Sequence, residues 1–235
     1  LHFTRNRDAI IGAVQRFEGR KGDYQPRNSF EEQYAYYPTQ VVERIRNQVT
    51  MDAIKGAAIR MSGLREGRKS VILISEGFTA TLPSQLSDPI AADPGRGNPN
   101  RNNPFAGQAT DQQKLLNQSD MLYDMRQVFD TCNRFNTSIY AVDPRGLAVF
   151  EYGIEQAVGL ETHRDGLRAT TDTLHVLATN TDGRAIVNPN DLAAGMNQII
   201  RDASGYYLLG YNSSQAPRDG KFHEIKVKVK RSGLD

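Results

Sequence analysis

Two short apolar runs constrain this chain most: "SVILIS" at residues 70–75 and "SIYAV" at residues 138–142. The first is too short for a helix and too uniformly apolar for a half-exposed strand. It fits a central parallel strand covered by helices on both faces. The second is a strand candidate, expected beside the first, parallel to it and buried. Each run ends on an acid where the pattern breaks, Glu76 before Gly77 and Asp143 before Pro144. The carboxyl ends of central strands form the ligand edge of open parallel sheets, so both acids fall on the edge where such a fold does its work.

Helical periodicity surrounds these runs. Residues 4–17 carry Ile10, Ile11, Val14 and Phe17 at helical spacing, with Thr4 as N-cap. Residues 41–64 repeat Val42, Ile45, Val49, Ala53, Ile54, Ala57, Ile59 and Met61. Gly56 lies inside that helix, at a cost of about 1 kcal/mol relative to alanine, and Gly63 marks its end. Residues 115–135 put Leu122, Met125, Val128, Phe129 and Cys132 on one face. A short helix over 173–179, a turn at "NTDG", a short strand "RAIV" and a last helix with Leu192, Met196, Ile199 and Ile200 follow. Helix and strand alternate, which predicts an α/β layer fold with a doubly wound, mostly parallel sheet.

Two segments interrupt the pattern. Residues 19–38 are polar and aromatic, and residues 84–113 are rich in Pro, Asn, Gly and Asp; both read as inserted loops. At the C-terminus, residues 205–211 and 222–230 are strand-like. Ile225, Val227 and Val229 alternate with Lys226, Lys228 and Lys230, so the pair is expected to form an antiparallel C-terminal β extension over 204–235.

Composition narrows the function classes. Hydrophobic residues make up 38% of the 235 and charged residues 24%, which is the balance of one globular domain spanning 1–235. A net charge of +2 gives no electrostatic footprint for nucleic acid. No apolar run approaches the ~18 residues of a membrane span. The single cysteine, Cys132, excludes an intrachain disulfide.

Four stretches, "GRKSVILISEGF", "TSIYAVDPRGL", the run from "TLHVLATNTDGR" to "YYLLGY", and "DGKFHEIKVKVKR", resemble the von Willebrand factor A-related domain proteins common in acidobacteria. The resemblance implies a von Willebrand factor A-like fold, a secreted or periplasmic location, and a protein or cell-surface ligand. It also implies a metal-ion-dependent adhesion site at the strand ends, built from Asp-x-Ser-x-Ser, a threonine and an aspartate. Here the pattern departs. No Asp-x-Ser-x-Ser occurs; the nearest string, Asp202 to Tyr206, does not match and precedes an outer strand. Glu76 stands where the third-loop aspartate is expected, and Thr50 falls inside a helical pattern. "LHFTRNRDAI" resembles the point after the family's second strand, so the first strands are expected to be missing from this chain.

The implied metal ligands are therefore Glu76, Ser75 and Asp143, a degenerate set. Mg²⁺ needs near-octahedral oxygen coordination and gives up its waters reluctantly, so tight metal binding is not expected and no cofactor is assigned, Mg²⁺ remaining an option for a full-length protein. The ordinary alternatives are a capping role for Glu76 and an Asp-Pro turn at Asp143. An enzyme reading, an α/β hydrolase using Ser75, lacks the Gly-x-Ser-x-Gly elbow and needs a base within hydrogen-bond reach. His175, beside apolar residues, reads as a core histidine, and Cys132 as core packing. The expected function is a non-catalytic adhesion-type binding module, with the hydrolase and a ligand-free structural module as alternatives.

Overall fold

In the computed structural model, β1 (Lys69–Ile74) and β2 (Thr137–Val142) pair in parallel, from Lys69 opposite Thr137 to Ile74 opposite Val142. A two-residue β3 (Ala185–Ile186) pairs parallel with β2, giving the order β1-β2-β3. The structure describes residues 4–17, 19, 21–64, 67–83, 86, 106–152, 158–188, 191–205, 228 and 230. The helices are α1 (Arg7–Gln15), α2 (Ser29–Glu32), α3 (Thr39–Ser62), α4 (Ala106–Arg134), α5 (Leu160–Thr179) and α6 (Leu192–Ser204). This is an α/β protein with a parallel sheet. The expected C-terminal strand pair lies outside the described residues.

The two-residue period of a strand sends alternate side chains of β2 to opposite faces. Ile139 and Ala141 point toward α3, α4 and α5. Ile139 joins Met51, Ile54, Ala58, Met125, Val128, Cys132 and Leu177, while Ala141 meets Leu174 and Ala178. Tyr140 and Val142 point the other way and meet Ile186 with Met196 and Ile199 of α6. All six residues of β2 are buried, as its sequence leads one to expect. Each large apolar side chain buried here contributes about 1.5–3 kcal/mol.

β1 differs from the expectation. Val71 and Leu73 pack on the main core, but Ile72 and Ile74 are half-exposed on the opposite face. Among the described residues β1 is an edge strand, because no described element covers its outer edge or that face. The apolar stripe of α1 is likewise uncovered: Ile10, Ile11, Val14 and Phe17 are all exposed, and the N-cap is Asn6, which accepts from Ala9 N–H, rather than Thr4.

Two further boundaries move. The fourth helix begins at Ala106, inside the segment read as a loop, since "AGQATDQQ" contains good helix formers and no proline. The fifth helix extends back from residue 173 to Leu160. Gly166 and a run of threonines hide that first half. Their hydroxyls bond back into the helix, Thr170 to Gly166 C=O at 3.0 Å and Thr171 to Leu167 C=O at 2.8 Å. His175 is exposed, on the outer side of α5; among the described residues the buried histidine is His163.

In α3 the buried residues are Val42, Met51, Ile54 and Ala58, whereas Val49 and Ile59 face solvent. Gly56 sits on the open side, and a β-carbon built there meets nothing within 4 Å. Gly56→Ala should therefore raise unfolding free energy by about 0.5–1 kcal/mol. A denaturant melt showing destabilisation would mean this face of α3 is covered.

Candidate functional site

Both ladders continue one residue past their strands. Ser75 N–H donates to Val142 C=O at 3.0 Å, and Asp143 N–H donates to Ile186 C=O at 2.9 Å. Ser75, Glu76 and Asp143 thus share the carboxyl edge of the sheet, where the sequence places them.

The chain then turns sharply. Gly77 adopts φ +92°, and a β-carbon there would lie 2.1 Å from Thr170 C=O. Phe78 N–H donates to Thr173 Oγ1 at 3.0 Å while its ring enters the core. A buried run ends on a carboxylate and a glycine because the chain leaves the sheet at Glu76 and must pass against α5 with no side chain in the way. Amides on α3 hold the continuation. Asn47 Nδ2 donates to Thr79 C=O at 2.8 Å, Gln40 Nε2 donates to Ala80 C=O at 2.8 Å, and Gln40 Oε1 accepts from Leu82 N–H at 2.6 Å.

At the centre of the edge stands Arg145, which the sequence reading did not single out. Asp143 is fully buried and closes an Asx turn, its Oδ1 accepting from Arg145 N–H at 3.0 Å. Arg145 Nε also reaches Oδ1 at 2.9 Å, and Nη2 reaches Oδ2 at 2.7 Å. Its Nη1 donates to Glu151 Oε2 at 2.6 Å, and Nη2 donates to Glu76 C=O at 3.0 Å. Glu151 is 1% exposed and takes a second cation, Lys21 Nζ, on Oε1. Lys21 lies 3.6 Å from the Glu76 carboxylate, which is 34% exposed. Burial opposes the Arg145 charge, but the Asp143 hydrogen bonds and the Glu151 charge outweigh it, and its pKa is held above the ordinary guanidinium value.

Glu151 is positioned by His163. The imidazole Nδ1 accepts from the backbone N–H groups of Glu151 and Tyr152, each at 3.2 Å. The rings of Phe150 and Tyr152 flank it with centroids at 5.2 and 5.6 Å. Beyond this turn, Leu147, Val149 and Phe150 are each more than half exposed.

The arrangement does not fit a divalent metal. Both Asp143 oxygens are engaged by Arg145, and a guanidinium lies between the carboxylates where an ion would sit. Among the described residues no group of His, Cys, Asp and Glu is arranged to hold a metal. Ser75 Oγ accepts from Gly77 N–H at 3.1 Å, and among the described residues no basic side chain bonds to it. Cys132 is fully buried, and burial pushes its thiol up to about 11. Thr50 lies within α3, its hydroxyl donating to Arg46 C=O at 2.9 Å.

A small cleft of ≈ 60 Å³, open to solvent, adjoins the cluster and is lined by Lys21, Tyr24, Glu43, Leu82, Glu151 and Tyr152 among others. Burial pushes the Tyr152 phenol up to about 12. It also raises Glu43 above the ordinary carboxylate value, although the Tyr24 hydrogen bond and Arg46 pull the other way. A carboxyl whose pKa is raised by folding binds its proton more tightly in the native state. Its stabilising contribution is complete below the unfolded value and is lost as pH rises through the folded one. Glu43→Gln should accordingly gain stability relative to the parent as pH increases from acid to neutral. Urea midpoints that run parallel across that range would show that Glu43 titrates as it does in the unfolded chain.

No helix among the described residues is long and apolar enough to cross a membrane. Comparison with protein-family models, with curated proteins and with solved structures gave no match to this chain.

Proposed function

We propose that this chain is a non-catalytic binding module, von Willebrand factor A-like in fold, that engages a protein partner at the carboxyl edge of its sheet without a metal ion. The observation that carries this reading is the turn after β2. Three large apolar side chains, Leu147, Val149 and Phe150, stand exposed within four residues of one another beside a fixed charged cluster. Exposed apolar side chains gathered beside polar groups are characteristic of interaction sites. The cluster itself is saturated with internal bonds, as suits a scaffold rather than an acid–base pair.

Two measurements test this. A photo-crosslinking residue at Phe150, introduced into the protein in cells that express it, should give a discrete adduct in the presence of a chelator. The same residue at Leu64, which is also exposed but lies just ahead of β1 and so near the opposite edge, should give none. Calorimetric titration with Mg²⁺ and Mn²⁺, on the protein and on Glu76→Ala, should show no micromolar binding. Micromolar binding that disappears in the variant would restore a working metal site and overturn the reading.

A further inference from the structure

We propose that the position held by Lys21 is an ammonium-binding site, that Lys21 is its tethered occupant, and that the natural ligand is a lysine side chain of the partner. This rests on the strand-end edge being a docking surface, and it adds the chemistry that the edge selects.

The charge balance sets the sign of the ligand. Asp143, Glu151 and Glu76 bring three carboxylates, and Arg145 and Lys21 bring two cations. One negative charge is left over, on the side where Glu76 reaches solvent. An acidic ligand would meet repulsion there, and a basic one would not.

The two cations are not equally replaceable. Arg145 is bound through its backbone N–H, Nε and both terminal nitrogens, and its loss would strand Asp143. Lys21 is 26% exposed and sits in a stretch without regular secondary structure. When it leaves, Glu151 keeps Arg145 Nη1 on Oε2 at 2.6 Å. Departure of Lys21 therefore vacates Oε1 of a buried carboxylate whose Oε2 stays paired with Arg145.

The adjoining cleft suits what would take its place. Leu82 offers apolar surface to an alkyl stem, Glu151 receives the charged head, and Tyr152 supplies an aromatic ring of the kind that attracts cations, while the Tyr24 ring already carries Arg46, its guanidinium 5.2 Å from the centroid.

The test uses n-butylammonium as probe, with n-butyrate as its anionic isostere, and reads backbone NMR shifts on the whole chain. Lys21→Ala should bind n-butylammonium about tenfold or more tighter than the parent, because a site occupied by its own side chain is competent only for the fraction of time it stands empty. The shifts should centre on Glu151, Tyr152 and Tyr24, and n-butyrate should produce none. In the parent, the Lys21 side-chain ammonium signal should move as n-butylammonium is added, a readout that needs no variant. Equal affinities in parent and variant, shifts centred elsewhere, or an unmoved Lys21 signal would each overturn the proposal. A short blocked peptide carrying one lysine separates the sources: tighter binding than n-butylammonium supports a protein ligand, and weaker binding overturns that part. A crosslinked partner at Phe150 that ignores Lys21→Ala would sink the ammonium site and leave the docking surface standing. An ammonium site with no crosslinked partner would do the reverse.

Discussion

Arg145→Met should cost about 3–5 kcal/mol of unfolding free energy, the range for removing one partner of a buried ion pair. Methionine is similar in length, so little of the loss would come from a cavity. The cost would come from Asp143, fully buried, and Glu151, 1% exposed, which would face each other with Lys21 alone to balance them. Two secondary effects should accompany it. The deficit should shrink in acid, where orphaned carboxyls can take up protons. Asp143→Asn in the Arg145→Met background should recover part of the loss, since the amide oxygen can still close the Asx turn without carrying a charge. Urea unfolding of the three proteins decides the matter. A loss below about 1 kcal/mol would place Arg145 among ordinary surface pairs.

Gly183→Ala and Gly77→Ala should be nearly as damaging, for a different reason. A β-carbon on Gly183 would lie 1.8 Å from Ile139 C=O, and one on Gly77 would lie 2.1 Å from Thr170 C=O. Both obstacles are backbone, so neither can move aside by changing rotamer. Overpacking of a core costs about 1–3 kcal/mol when side chains can adjust, and these sites should reach or exceed the upper end. Gly77 adds the strain of φ +92°. Gly195→Ala is the internal comparison. Its nearest obstacle is the side chain of Ile186 at 2.5 Å, which can yield, so the loss should be smaller. Thermal melts in which Gly195→Ala falls furthest would contradict this ordering.

Much of the frame was legible from periodicity. The two apolar runs became adjacent parallel strands in register, and the acid ending each run does lie on the shared edge. Cys132 packs in the core as its helix face implies. What could not be read was long-range. Lys21 and Glu151 are 130 positions apart, and no spacing rule links them. Arg145 was within reach, because an arginine two residues after an Asx-turn aspartate can bond back to it, but the three acceptors that fix it come together only after β1, β2 and the turn at 151 are assembled. The half-exposure of β1 could not be read because composition tells how apolar a strand is, not how many neighbours it has. Ile72 and Ile74 look like core residues in the sequence and are half-exposed in the described structure.

The two bonds from Gln40 to Ala80 and Leu82 have a consequence for motion. A strand neighbour normally supplies one acceptor and one donor to the chain beside it; here a single side-chain amide supplies both. The stretch from Thr79 to Leu82 has no regular secondary structure, yet Thr79 C=O, Ala80 C=O and Leu82 N–H find their partners on α3. It therefore cannot detach without breaking bonds to a 24-residue helix that is itself anchored in the core by Met51, Ile54 and Ala58. Hydrogen exchange at Leu82 N–H should then track the opening of α3 and not the faster fluctuations of a surface loop. The segment that carries the chain away from Glu76 would belong, in its kinetics, to the helix layer.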